Sequence, residues 1–507
     1  MTGLLLTGAR LVRVGEAGVP DGPVDLRLRD GRVVEVGARV AREPGEEVVA
    51  LDGRWAMPGL WDAHVHPVMW GLARTRIDLA GTGDPQDVCR RVATALTSRP
   101  GTGLVLGYGY RSGVWARQPT VAELDTVTGS RPVALASGDG HNGWLNSAAL
   151  ALVGEPPRDG TLVEEAWYAA YRRLESVAAQ AEDGEAALGA ALDEAAARGV
   201  VGIVDFEFGS AFRDWPGRIA RAEPPVRVRA ATYSDGLDEV AARGLRQGDR
   251  LVPGCDRVSM GPLKVISDGS LNTMTAWCCD PFVGAHEREF PRGRPNVTTT
   301  DLAAIMLRAK EIGLGAAIHA IGDAAFMSAL EAFAASGASG SIEHAQLIDR
   351  AAIPLMVRLG LTASVQPVHL LDDREANALL WPDRTDRVYA FRTLLDAGVR
   401  LALGSDAPVA PLDPWAAIAA AVCRADPGGP PWHPEQRLTI AEALAASTDF
   451  RTSLAPGSLA DITILDHDPY AALRLPEADR ATWLRGIRTA ATVVGGRLTY
   501  ADLGPRP

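Results

Sequence analysis

The sequence predicts an α/β protein: a (β/α)8 TIM barrel, joined by a composite β-sandwich drawn from both termini and carrying an inserted α/β lobe after strand one. Three observations lead there. Eight short apolar runs recur through the middle of the chain, with helical patterns between several of them. Residues 1–56 and 457–507 share a different idiom, short alternating strands joined by tight turns. Five of the eight apolar runs lead into residues able to carry charge, and in such a barrel the C-terminal strand ends are where sites are built.

The elements follow in order. "VDLRLRDGRVVEVG" alternates apolar and polar residues about Asp30-Gly31, a hairpin signal, and "TAATVVGGRLTY" repeats the pattern about Gly495-Gly496 near the other end. Residues 1–56 and 457–507 are therefore assigned to one small β domain and residues 57–456 to the barrel. The eight strand candidates are 59–64, 200–206, 226–232, 262–266, 315–319, 340–344, 361–365 and 399–405. "GEAALGAALDEAAARG", "DLAAIMLRAKEIG" and "DAAFMSALEAFAASG" read as helices closed by glycine. The long interval after the first strand holds strands of its own ("GLVLGYGY", "PVALAS") and an alanine-rich helix. Residues 77–183 are read as a lobe inserted over the barrel mouth.

Composition narrows the partners. The chain has 507 residues, a net charge of −12 and no long basic run, which disfavours nucleic acid and anionic membranes. No apolar run reaches the ~18 residues that a membrane span needs. Five cysteines are too few for a disulfide framework at this length, and "MTGLLLTGARLVRVG" lacks the parts of a secretory leader, so a cytoplasmic location is expected. A small-molecule substrate is the partner that remains.

Candidate metal ligands stand at the strand ends. Strand one ends in "WDAHVHP", where His64 and His66, two apart on a strand, point to the same side. Strand four carries Lys264, strand five ends at His319, strand six at His344, and strand eight runs into Asp406. Each follows an apolar run, where a chargeable group is costly to bury unless paired or bound to metal. Taken singly, each has an ordinary explanation: a hydrogen-bonded structural histidine, an ion-paired lysine, an aspartate capping a turn. Together, four imidazoles and one carboxylate form a coherent set for Zn²⁺ or a similar divalent ion. Lys264 fits if CO₂ converts it to a carbamate (N6-carboxylysine), an anionic ligand able to bridge two ions; burial near cations supplies the depressed pKa this needs.

"MPGLWDAHVHP", "LKVISDGSL", "HAIGD", "IEHAQ" and "GSDAPV", in that order, resemble the amidohydrolase superfamily, and "DGHNGWLNSAAL", "SVQPVHLLDD" and "LAPGSLADITILDHDP" resemble its YtcJ-like branch (amidohydrolase family 3). The resemblance covers nearly the whole chain. It implies a (β/α)8 barrel with a composite β-sandwich and one or two divalent ions, usually zinc. By the family pattern His64, His66 and Asp406 hold one ion, His319 and His344 the second, and a carbamylated Lys264 bridges them. The chain departs from the branch in a shortened stretch after "WLNSAAL" and in "STDFRTS", neither of which removes a ligand.

The implied chemistry is hydrolysis of a C–N bond in an amide, N-substituted formamide or cyclic amide. A divalent ion lowers the pKa of water to about 7, and Asp406 is suited to act as general base, passing the proton to the leaving nitrogen. Ester cleavage, decarboxylation or isomerisation at the same site, or a scaffold barrel without catalysis, are the alternatives. Substrate contacts are expected from His141, His369, Asp372, Tyr110 and Trp277, each balanced by a plain structural role: a turn cap, a solvated loop, or packing. Trp70, Trp115, Trp144, Trp277 and Trp381 fall in loops expected around the mouth and suggest an apolar or aromatic substrate, against packing of the lobe. A homodimer is common among such enzymes.

Overall fold

The computed structural model describes residues 3–504 except 16–17, 111, 113–114, 138–141, 182–183, 272, 286 and 288. Its centre is an eight-stranded parallel sheet. The strands are β1 Leu60–Val65, β2 Val200–Asp205, β3 Arg227–Thr232, β4 Val258–Ile266, β5 Ala316–Ala320, β6 Gly340–His344, β7 Thr362–Val365 and β8 Arg400–Leu403. They pair in chain order. Helices cover the outer face and side chains fill the inner one, so β2 and β7 are buried along their whole length and read in sequence as continuous apolar runs.

Two boundaries differ from expectation by more than one residue, for local reasons. β4 begins at Val258, not Pro262, because the register shifts between Met260 and Leu263 and leaves Gly261-Pro262 as a bulge. A bulge lets a strand pass through a residue with no N–H to donate. β8 stops at Leu403 because Gly404 lies hard against β1: a Cβ there would approach His64 N to 2.7 Å and Asp62 Oδ1 to 3.0 Å.

The barrel closes just beyond that glycine. Asp406 N donates to His64 O (2.7 Å) and His66 N donates to Ala407 O (2.9 Å). Asp62 reinforces the seam, its Oδ1 accepting from both His64 N and Ser405 N at 3.0 Å. The covering helices start and stop as their sequences direct. Thr298 accepts from Asp301 N to cap Thr299–Glu311, and Gly337, at φ 61°, ends Asp323–Ser336.

The terminal strands form the sandwich around one apolar core that includes Leu6, Leu26, Ile462 and Val493. Trp55–Pro58 pairs parallel to Leu4–Leu11 and antiparallel to Ile462–Leu465, so the two chain ends share one layer. Asp461 links sandwich and barrel by accepting from Arg227 at the start of β3 (2.7 Å).

Residues 68–190 form a separate compact unit. Its five-stranded sheet runs in the order Leu162–Val163, Asn142–Leu145, Val133–Ser137, Val105–Tyr110, Ile77–Asp78, and encloses its own apolar cores.

Candidate metal centre

The seam that closes the barrel also assembles the site. His64 Nε2 and His66 Nε2 each lie 3.5 Å from Asp406 Oδ1. His344, at the end of β6, brings its ring centroid within 5.0 Å of that of His64. One donor atom each from His64, His344 and Asp406 falls within 4.8 Å of the others, and all three residues are buried. His344 and Asp406 hold left-handed backbone at φ 69° and φ 56°. Residues with side chains adopt that region at a cost of about 1–3 kcal/mol, and such strain gathers where side chains must be re-aimed for function.

His319 joins through an edge-on contact with His344, ring centroids 4.5 Å apart. Its Nε2 lies 3.3 Å from Asp268 Oδ1 and 3.2 Å from Gly269 O, so the turn after β4 orients this ring. Asp268 is fixed in turn by accepting from the backbone N–H groups of Ile321, Gly322 and Trp277. Lys264 Nζ stands 3.2 Å from His64 Nε2 and 4.4 Å from the Phe206 ring centre. Beneath His64, a residue that sequence reading passed over, Glu343, sets its Oε2 2.7 Å from Nδ1.

The electrostatics follow from burial. Desolvation, with Lys264 and other imidazoles nearby, drives His64 well below the usual imidazole range; desolvation and His319 do the same to His344. Both rings are therefore neutral at pH 7 and offer lone pairs. Burial works against the Asp406 carboxylate, yet the surrounding histidines, His64 first, hold it well below the ordinary carboxylate range. Burial lowers Lys264 to about 8 despite Glu343 and Asp406, and raises Asp62 to about 6.

Neutral imidazoles facing one ionised carboxylate are the donor chemistry a divalent cation selects. Two further ring nitrogens, His66 Nδ1 and His369 Nε2, are buried without a hydrogen-bond partner. His369 stacks on His344 at 6.3 Å, so it belongs to the cluster's edge.

The other expected contacts divide. Asp372 is exposed at the end of the short helix His369–Asp372. Trp277 is half-buried, and its carbonyl accepts from Ala324 and Ala325 N–H. Tyr110 is fully buried in the lobe core, stacked on Trp115 at 5.6 Å. Trp70, Trp115, Trp144 and Trp381 are likewise buried, so packing accounts for them. His141 lies outside the described residues. The aromatic wall at the site comes from other residues: Phe206 meets His64 edge-on at 4.6 Å, and Phe208, 54% exposed, stacks between His66 and Tyr233. A phenylalanine pair straight after a strand, "VDFEF", was the available signal.

A parallel barrel whose strand ends converge histidine and aspartate donors on one buried point defines a metal-dependent hydrolase. The Amidohydrolase family model matches residues 47–500, and the chain belongs to that family. It is 25% identical to Putative amidohydrolase YtcJ of Bacillus subtilis (strain 168), covering 90% of this chain and 91% of that one. It is 26% identical to the N-substituted formamide deformylase of Arthrobacter pascens, covering 94% of each. An uncharacterized metal-dependent hydrolase from Pyrococcus horikoshii OT3 superposes with a TM-score of 0.78 at 25% identity, covering 94% of this chain and 99% of that chain.

Proposed function

We propose that the protein hydrolyses the C–N bond of an N-substituted formamide or related amide carrying an apolar or aryl group, using zinc. The observation that carries this is the convergence of His64, His344 and Asp406 donor atoms within 4.8 Å. His64, His66 and Asp406 would hold one ion, and His319 and His344 a second. When bound, such an ion polarises the carbonyl and lowers the pKa of water. Lys264 would lie between them as a carbamate: its neutral amine adds CO₂ and releases one proton. A lysine lowered to about 8 and buried against His64 supports that assignment.

Asp406 acts as general base. Its carboxylate is ionised across the neutral range and so accepts the proton from water. Once protonated, it delivers that proton to the leaving nitrogen. Phe208 and Tyr233 offer an apolar face to the substituent, which is why an aryl or alkyl group is assigned to the substrate. The formamide assignment draws on the resemblance to the deformylase. Five free cysteines support a reducing, cytoplasmic setting, and no helix among the described residues is long and apolar enough to cross a membrane.

The test is metal analysis of purified protein, with turnover measured on N-benzylformamide, aryl acetamides, a cyclic amide and matched esters. Stoichiometric zinc with preferred formamide cleavage is expected. Ester cleavage without amide cleavage would overturn the C–N assignment.

A further inference from the structure

Glu343 occupies a place that neither the hydrolytic step nor the ligand set uses. It immediately precedes His344 on β6, and consecutive strand residues ordinarily face opposite sides. Here the left-handed turn at His344 breaks that alternation. Glu343 faces the barrel interior while His344 turns into the donor cluster. The carboxylate is 1% exposed, hydrogen-bonded by the Ser341 hydroxyl and by His64 Nδ1 at 2.7 Å.

A buried carboxylate at that distance needs a proton between the two atoms. With the proton on Nδ1, the ring's unprotonated nitrogen is Nε2, the atom beside Asp406 and Lys264. The opposite tautomer would set a bare nitrogen against a carboxylate oxygen and turn an N–H toward the place a cation must occupy.

We infer that Glu343 is a positioning residue: through His64 Nδ1 it fixes the ring and its tautomer, and so directs the Nε2 lone pair into the metal centre. This rests on the metal-site reading above. A second feature makes it testable. Glu343 also lines a cavity of about 310 Å³ that begins among the strand starts, at Gly315, Gly340, Gly360 and Arg400. Small inward residues, Ala63, Ala316, Thr362 and Ala402, leave that space below the carboxylate. Removing the Glu343 side chain would therefore open a void continuous with it, large enough for a small carboxylate.

The experiment measures zinc retention on full-length protein by competition with a chromogenic chelator, alongside the melting temperature of the metal-free form. Glu343→Ala should weaken zinc binding about 10–100-fold, and formate should restore part of the loss without affecting wild type. Glu343→Gln, whose amide oxygen still accepts from Nδ1, should lose less and melt within a few degrees of wild type when metal-free. Wild-type zinc affinity in Glu343→Ala would overturn the inference. So would equal losses in Glu343→Ala and Glu343→Gln, or a loss that formate leaves untouched. Wild-type protein that holds no zinc would overturn the metal-site reading beneath it, a separate and distinguishable result.

Discussion

The two ends of the barrel differ although the same strands build both. At the C-terminal rim stand His64, His66, His319, His344 and the Asp406 turn, with left-handed backbone at His344 and Asp406, burial-depressed imidazoles at His64 and His344, and an orphaned ring nitrogen on His66. At the other end, two arginines of β3 are bound to aspartates. Arg227 pairs with Asp461, and Arg229 pairs with Asp449 through two hydrogen bonds of 2.7 and 2.6 Å. Left-handed backbone occurs there too, at Asp449 and Phe450, but the charges neutralise one another. Neutral imidazoles and orphaned ring nitrogens collect at the rim, where chemistry needs them, and ion pairs at the base hold barrel to sandwich.

Substitutions at each end should separate these roles. Asp406→Asn keeps the size of the side chain and removes the base; kcat should fall about 10²–10⁴-fold with the fold intact, checked by steady-state kinetics and circular dichroism. Asp461→Ala attacks the base. It leaves half-buried Arg227 without its nearest carboxylate and should cost about 1–3 kcal/mol of stability, read by denaturant unfolding, while kcat of the folded fraction stays unchanged. A loss of kcat there without a loss of stability would erase the contrast between the ends.

Finer probes concern the rim alone. Phe208→Ala removes the exposed ring stacked on His66 and should raise KM for an aryl formamide about two- to ten-fold with kcat little changed; equal KM for aryl and small formamides in wild type would argue against the aromatic wall. The pH effect is smaller. Lys264 sits at about 8 in the folded protein, below its usual value, so its neutral fraction grows as pH rises through that point. At fixed dissolved CO₂, the rate at which metal-free, decarbamylated protein regains activity on adding zinc should rise about five-fold from pH 7 to 8 and then level off. A rate flat across this interval would dismiss the carbamate.

Sequence carried the barrel well, because a strand covered on both faces must be an unbroken apolar run, and eight such runs are countable. It carried the converging donors too: His64, His344 and Asp406 each close or follow an apolar run at a strand end. Glu343 was hidden for the opposite reason. By strand alternation a glutamate next to a ligand histidine reads as facing away, and only the backbone angle at His344 puts both toward the barrel axis. Asp62 was hidden similarly, since its role depends on Ser405, 343 positions away. The tryptophans left lining and packing both open, because a ring count does not separate the two; Trp144 and Trp381 are wholly buried while Phe208 is exposed.

Closing the barrel through Asp406 and His64 has a consequence for the birth of the molecule. A nascent chain that has left the ribosome only as far as β7 already holds five of the six proposed ligand side chains. Without the eighth strand it has no partner for β1 to fasten to, and no carboxylate to complete the cage. On the proposed ligand set, cation uptake waits until Asp406 has been made, and an ion in place would certify that the two far ends of the ring have met.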